Sequence, residues 1–289
     1  NKINSKYNFL NSKEKEIFFK SLKNLTEKLI NNYKKDYFDM NLDLVNLEKY
    51  RINTIKNYLK KKKNELNFAN LLIEECKIKG ILPFAKLARS AFIAKKILNS
   101  LVDLKVLSKR SYFKILSNLS TVSNDYIHDH GSKSRDKNYL VKKYYHLRPN
   151  SYDILNKRYN SKININQLDK IVLDKLVEIK NKNIELLITK KETQNINKII
   201  KSHKLKFSAN HLINFCLQSL KLRENYKFLF TRTLSDAIQL IRLYSKNTKT
   251  YKFLHNLDIN LILKNKLSYK NIKEKSIINT KRNFYNNFI

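Results

Sequence analysis

Residues Ser208 to Tyr244 read SANHLINFCLQSLKLRENYKFLFTRTLSDAIQLIRLY, and this stretch decides the fold class. Its apolar side chains recur at helical spacing, first as Ile213, Leu217 and Leu220 and again as Leu234, Ile238 and Ile241. Neither Gly nor Pro interrupts the run, and a stripe of this period is typical of a helix that buries one face. The pattern predicts one long α-helix over residues 208–244, the longest of the chain.

The rest of the sequence shows the same period almost throughout. We expect helices over about 12–32, 43–62, 67–79, 108–126 and 139–145, with another that begins at Pro83. Gly80 is expected to end the helix before it, and proline suits a first turn because its missing N–H has no helical partner there. An irregular loop is expected over 146–160, around Pro149, followed by interrupted helices over 167–202 and short ones over 248–289.

These patterns predict an all-α protein, a multi-helix array of antiparallel and crossing helices. Composition does not shift sharply along the chain, so 1–289 is treated as a single helical region. Any subdivision is expected near residue 160.

Composition excludes several kinds of nucleotide site. The chain has two Gly and two Pro, whereas a P-loop, a dinucleotide fingerprint or a glycine-rich kinase loop needs several glycines close together. Cys76 and Cys216 stand far apart in apolar surroundings, which predicts buried free thiols and a cytoplasmic location. No apolar run is long enough to span a membrane and no signal peptide is present, so no membrane partner is expected. Because the chain opens on Asn1 and its one methionine is Met40, we expect it to be cut from a longer protein.

The formal charge of +36 suggests a polyanionic partner such as nucleic acid. However, Lys, Asn and Ile are abundant everywhere, and all three have A/T-rich codons, so codon drift explains the charge better than a binding patch. The longest basic run, Lys60 to Lys63, reads as a solvated helix face.

Three segments depart from a plain core-and-surface pattern. The first, residues 80–94, reads GILPFAKLARSAFIA. Its alanines would let another helix pack closely, while Arg89 falls on the opposite arc. A tightly packed core helix is the plainer interpretation, and Arg89 is kept as a candidate binding residue.

The second segment is the loop itself, which crowds together His146, Arg148, Tyr152, Arg158 and Tyr159. Arginine offers a planar fork of donors, and Tyr and His add single hydrogen bonds, so such a set can bind an anion. The alternative is a loop that satisfies its own backbone and is locked by its own side chains. The sequence leaves both interpretations open.

The third segment interrupts the apolar stripe of the long helix. The same face carries Glu224, Lys227 and Thr231, with Arg223 beside them and Arg232, Ser235 and Asp236 about one turn later. Charges on a core stripe are costly unless they are paired or face a cavity. An exposed Glu224–Lys227 pair is one interpretation, and a polar pocket between helices, which we favour, is the other.

No catalytic residue is assigned, since no nucleophile elbow, HExxH motif or signature carboxylate pair is present. His128, His130 and His146 lack a spacing with carboxylates that would make a metal site, so no metal ligand is assigned either.

Four separated motifs, in order, carry a family resemblance: residues 80–94, Asn118 to Val122 (NLSTV), His146 to Ile154 (HLRPNSYDI) with Arg158-Tyr159, and Arg223 to Asp236 (RENYKFLFTRTLSD). Over about residues 10–263 the chain resembles the central helical region of phosphoenolpyruvate synthase/pyruvate phosphate dikinase-like proteins. The loop motif usually has glycine where Tyr145 and Asn150 stand here. Asn tolerates left-handed backbone, whereas Tyr145 puts a close backbone approach in doubt.

The resemblance implies a phosphotransferase in which an ATP-grasp domain precedes this region and a mobile phosphohistidine domain follows it. ATP and Mg are then cofactors of the parent protein, and this chain holds no cofactor itself. Its implied role is to position a small-molecule acceptor and the moving domain, with ligand contacts from the loop and the Arg223–Arg232 stretch.

Two other classes of protein stay open. A basic helical nucleic-acid-binding protein would cluster Lys and Arg on one face and lose affinity steeply as salt rises. A non-catalytic interaction scaffold would respond to replacement of Arg148 or Arg158 in stability alone.

Overall fold

The structure, a computed structural model, describes residues 9–119, 122–131, 136–149, 153–160, 162–163 and 184–251. Within those ranges the chain forms α-helices and no strand, so the predicted all-α class is confirmed. The helices are α1 (Ser12–Lys61), α2 (Glu65–Cys76), α3 (Leu82–Asp103), α4 (Lys109–Ser117), α5 (Val122–Gly131), α6 (Lys137–Tyr144), α7 (Lys190–Ser202) and α8 (Ala209–Asn247). A π-helix covers Lys77–Ile81 and a 3₁₀ helix covers Ile184–Leu186.

Packing divides the chain into two compact units. Unit 1 comprises Asn1–Asp39, Lys86–Ser120 and Glu178–Arg223, and unit 2 comprises Met40–Ala85, Thr121–Val177 and Glu224–Ile289. Residue 160 lies inside unit 2, and helices α1, α3 and α8 contribute residues to both units.

Helix α1 replaces two predicted helices with one of 50 residues, so the prediction of a break after residue 32 was wrong. Tyr33 and Tyr37, four residues apart, are both buried in unit 1. The Tyr33 ring packs 5.8 Å from Phe215, and the Tyr37 hydroxyl lies 2.6 Å from Ser219 Oγ. These contacts with α8 continue the apolar face through the lysine-rich stretch. Helix α1 is therefore longer than α8, which has 39 residues.

Gly80 does not end a helix, contrary to the prediction. Helix α2 continues into the π-helix, and α3 follows directly at Leu82. The need for glycine is steric, because a Cβ at this position would lie 3.1 Å from Phe230 Cβ and 3.2 Å from Cys76 Sγ. The site lets α8 approach the backbone of the π-helix in unit 2.

Pro83 occupies the first turn of α3, as the sequence predicts. In a regular helix the carbonyl of Lys79 would accept from the N–H of residue 83, which proline lacks. The Tyr226 hydroxyl donates to that carbonyl at 2.7 Å instead. A side chain of α8 thus binds a backbone carbonyl of the π-helix.

Replacing Gly80 with alanine is expected to destabilise the protein by about 1–3 kcal/mol, the usual cost of overpacking a core. Phe230 Cβ is fixed in place by the backbone of α8, so it cannot swing away as the end of a flexible side chain could. Gly131→Ala is the matched control, because no atom of the described residues lies within 4 Å of a Cβ there. Urea unfolding measures both, and equal effects of the two substitutions would contradict the packing account.

The predicted single helix over 108–126 was also wrong. Helix α4 ends at Ser117, and α5 begins at Val122. Near the end of α4, the Ser117 hydroxyl and the Asn118 amide both donate to the carbonyl of Lys114. Short polar side chains that bind nearby backbone in this way compete with helix continuation.

The predicted helices near 139–145 and 208–244 are confirmed, with the bounds of α6 and α8. The stretch predicted as interrupted helices contains, in its described part, the 3₁₀ helix and α7. The predictions for residues 167–183 and 252–289 lie outside the described residues. Among the residues that the structure describes, no helix has both the length and the apolar character needed to cross a membrane.

Helices α4 and α7 of unit 1 share one buried carboxylate at their N-termini. Glu192 accepts from the Ser108 N–H at 2.8 Å, the Ser111 hydroxyl at 2.9 Å and the Thr189 N–H at 2.7 Å. With Thr189 it forms a capping box, in which each side chain satisfies a backbone N–H of the other residue. One side chain thereby fixes two helix starts.

Glu192→Gln is expected to cost about 0.5–2 kcal/mol at pH 7, as lost helix caps do. Burial alone would raise the pKa of Glu192, but the backbone of Thr189 and Ser108 and the hydroxyls of Ser108 and Ser111 lower it to about 2. The ionised group therefore stabilises the fold fully above the ordinary glutamate pKa of about 4.3 and progressively less below it. The stability gap between wild type and variant should narrow from pH 7 to pH 3.

Unfolding in urea at both pH values measures this gap. Glu16→Gln, at an exposed position of α1, is the control and should change stability little at either pH. If the stability difference between wild type and Glu192→Gln stayed constant between the two pH values, the account of a carboxylate whose ionised form stabilises the fold would be contradicted.

Unit 2 has a continuous apolar core built from α1, α2 and α8. Its buried members are Ile55, Tyr58, Leu66, Phe68, Ala69, Leu72, Ala237, Leu240 and Ile241. Ile154 and Ile163, which follow α6 in the chain, pack against it. The core thus holds the irregular loop against α8.

Candidate functional site

The irregular loop begins where α6 ends and returns to its own start. Tyr159 N–H donates to the carbonyl of Leu147 at 2.7 Å, and Asn160 N–H donates to the carbonyl of Tyr145 at 3.2 Å. Asp153 accepts from Leu155 N–H at 2.8 Å inside the loop. These hydrogen bonds join the described residues on the two sides of the loop within unit 2.

Asp236 of α8 joins this loop to helix α1. Its Oδ1 accepts from Arg158 Nη1 at 2.6 Å, and its Oδ2 accepts from Arg51 Nη1 at 2.8 Å and from the Tyr145 hydroxyl at 3.3 Å. The carboxylate, Arg51 and Arg158 are fully buried as side chains. Burial alone would raise the pKa of Asp236, but Arg51 and Arg158 hold it below its usual value, so it is ionised.

Glu48, one turn before Arg51, provides a second carboxylate. Arg51 Nε and Nη2 donate to it as a two-pronged pair at 2.7 and 2.6 Å. Arg232 Nε lies 3.5 Å from Glu48 Oε1. Burial would raise the pKa of Glu48, but Arg51 and Arg232 outweigh it and lower that pKa.

The Tyr145 ring fills the space between three guanidinium groups. The Cζ atoms of Arg232, Arg158 and Arg51 lie 4.8, 5.2 and 6.0 Å from its centroid. Cations near an aromatic ring at such distances are attracted by its negative face. Burial raises the pKa of Tyr145 to about 12, so the hydroxyl is protonated and donates to Asp236.

Ser235 of α8 forms hydrogen bonds with both Arg148 and His146. Arg148 Nη2 donates to Ser235 Oγ at 2.9 Å and to its carbonyl at 3.2 Å, and the Ser235 hydroxyl donates to the His146 carbonyl at 2.8 Å. Burial, helped by the charge of Arg232, holds the pKa of His146 well below its usual range, so the imidazole is neutral. Burial and the charges of Arg158 and Arg242 lower the pKa of Arg148 to about 10, which still leaves it protonated near pH 7.

We call this set of side chains the arginine cluster. It comprises Arg51, Arg148, Arg158, Arg232, Glu48, Asp236, Tyr145 and His146. Among the described residues it holds four guanidinium groups and two carboxylates, an excess of two positive charges. Arg242 and Asp153, whose charges also act on Arg148, add one of each sign and leave the excess unchanged. Buried charge of one sign is costly unless an opposite charge approaches it.

Four of the predicted site residues come together in the cluster, namely His146, Arg148, Arg158 and Arg232. Tyr159 is at its margin, 45% exposed, with its ring 6.0 Å from that of His130. Tyr152 lies outside the described residues.

The other predicted residues are placed elsewhere. Glu224 is half-buried in unit 2 and Lys227 is exposed. Arg89 is exposed in unit 1. Arg223 of unit 1 is half-buried, with its guanidinium 5.8 Å from the Phe92 ring.

Sequence reasoning missed Glu48 and Arg51, which stand three residues apart in the sequence. A signal was present, because Leu44, Leu47 and Ile55 mark the buried face of α1 and both charged residues fall on it. Tyr145 was noticed as a departure from the family pattern, but its place among the arginines was not predicted.

Within the described residues, no group of three or more His, Cys, Asp or Glu side chains is arranged to hold a metal ion. The two cysteines are buried and free, as predicted, and burial raises the pKa of Cys76 to about 12.

Comparison with protein-family models, with curated proteins and with solved structures gave no match. The resemblance drawn from the four sequence motifs therefore stays a prediction.

Proposed function

We propose that this chain is the middle helical domain of a phosphoenolpyruvate synthase-like phosphotransferase, which positions the acceptor and the mobile phosphohistidine domain. The observation that supports it is the meeting of three separated motifs of the family pattern on one part of α8. Gly80 faces Phe230, while Arg148 and Arg158 of the loop motif bind Ser235 and Asp236.

The chemistry of the arginine cluster suits the acceptor of such a reaction. Phosphorylated and carboxylated molecules are bound by several convergent donors, and arginine forks match both groups. The cluster is buried and cross-linked by ion pairs, so it holds its geometry without a ligand to organise it. In this proposal ATP and Mg are bound by the flanking ATP-grasp domain, and this chain supplies no catalytic residue.

The coding sequence on both sides of this chain tests the assignment. An ATP-grasp domain upstream and a glycine-rich segment with a Thr-His pair downstream are expected. The isolated chain should hydrolyse no ATP above a buffer blank. Stop codons at both ends, or ATP hydrolysis by the chain alone, would contradict the proposal.

A further inference from the structure

The two carboxylates of the arginine cluster form ion pairs with arginines other than Arg148. Asp236 lies between Arg51 and Arg158, with one oxygen toward each. Glu48 takes both prongs of Arg51 and lies 3.5 Å from Arg232. In the described part of the chain, neither carboxylate forms an ion pair with Arg148.

Arg148 faces neutral acceptors instead. Its Nη atoms donate to Ser235 Oγ, to the Ser235 carbonyl and to the Asn156 carbonyl, while its Nε makes no hydrogen bond in the described structure. The residue is only 8% exposed. The guanidinium is therefore buried with neutral hydrogen-bond acceptors, and the charges of Asp236 and Asp153 act on it without an ion pair to either in the described part of the chain.

His146 lies two residues before Arg148 and is 2% exposed. Neither ring nitrogen makes a hydrogen bond of normal geometry within the described structure, although the Phe228 carbonyl lies near enough to act on the ring. Buried polar atoms without partners are uncommon in folded proteins and call for an explanation. A neutral imidazole has one donor and one acceptor nitrogen to offer a ligand.

We propose that His146 and Arg148 bind a small oxyanion with two negative charges, such as a phosphate monoester or a dicarboxylate. Its charge would balance the excess of two in the cluster, Arg148 would supply the ion pair, and His146 would donate one N–H. The inference rests on the proposed function for the identity of the molecule, since this is the same site, but anion binding itself can be tested alone.

Thermal unfolding of the chain measures binding, with inorganic phosphate, phosphoenolpyruvate, pyruvate and chloride as probes at one ionic strength. We expect phosphate or phosphoenolpyruvate to raise the melting temperature, saturably, by roughly 5–10 °C at about a hundred times the dissociation constant. A shift with pyruvate, which carries one negative charge, and with neither phosphate nor phosphoenolpyruvate would rule out a doubly charged ligand and overturn the proposal. No shift beyond that of chloride with any probe would overturn the proposal.

Two variants locate the site. Arg148→Gln is expected to abolish the anion-dependent shift, whereas Arg110→Gln, an exposed arginine of α4, should keep it. His146→Phe replaces unsatisfied nitrogens with an apolar ring, so it should fold well and weaken phosphate binding about tenfold or more, the loss of one hydrogen bond to a charged group. Unchanged phosphate affinity in a folded His146→Phe protein, measured by calorimetry, would overturn the proposal even if Arg148→Gln failed to fold.

The two proposals fail separately. If phosphate binding depends on His146 but the gene encodes no flanking domains, the anion site is supported and the phosphotransferase assignment is contradicted. If the flanking domains are present but the chain binds no anion, the phosphotransferase assignment is supported and the anion site is contradicted.

Discussion

Replacing Asp236 with asparagine is expected to lower the free energy of unfolding by about 3–5 kcal/mol, the usual cost of removing one partner from a buried ion pair. The carboxylate lies between Arg51 and Arg158, both of which have fully buried side chains. An amide has the same shape, but it has no negative charge and turns an NH₂ group toward one of the two arginines. Arg158 would then lose this counter-ion, and Arg51 would be left to share Glu48 with Arg232.

Urea unfolding followed by circular dichroism measures the loss. Asp39→Asn, at an exposed position of α1, is the control for the same chemical change and should stay within about 0.5 kcal/mol of wild type. A loss below about 1 kcal/mol for Asp236→Asn would mean that the ion pairs of the cluster do not hold the loop to α8.

The second large effect is expected at Tyr145. Tyr145→Ala should destabilise the protein by about 3–5 kcal/mol, as large-to-small changes of buried aromatic residues do. The ring is fully buried, and its removal would leave Arg158 and Arg232 without the aromatic ring that both guanidinium groups contact. Like charges in a region of low dielectric would add to the cost.

Tyr145→Phe separates the ring from the hydroxyl. It keeps the ring among the guanidinium groups and removes a hydrogen bond of 3.3 Å to Asp236, so we expect a loss of about 0.5–1.5 kcal/mol. Equal losses for the two substitutions, measured by the same unfolding experiment, would show that the ring has no structural role of its own.

Helix positions were predictable from sequence where apolar residues recurred at helical spacing without Gly or Pro between them, as in α8. The prediction failed where local signals competed with packing. The lysine-rich stretch around residue 35 looks like a break in α1, yet Tyr33 and Tyr37 carry the buried face through it. Gly80 looks like a helix end, but the close approach of Phe230 is what requires glycine there.

The candidate site was predictable in its loop half and not in its helical half. His146, Arg148 and Arg158 stand close together in the sequence, so their density alone drew attention. Arg51 and Asp236 are 185 residues apart and meet only through packing of α1 on α8 in unit 2. No local pattern records such a long-range pair, because a charge on a helix becomes functional or structural only through what packs against it.

Phosphate transfer by the protein encoded in the complete reading frame tests the central proposal most directly. The protein would be incubated with ATP labelled in its β- and γ-phosphates, and base-stable, acid-labile label on histidine would be measured before and after addition of acceptors. We expect label on a histidine outside this chain, and we expect Arg148→Gln to slow its transfer to the acceptor without slowing histidine labelling. A complete protein that takes no phosphate from ATP onto histidine would contradict the proposal.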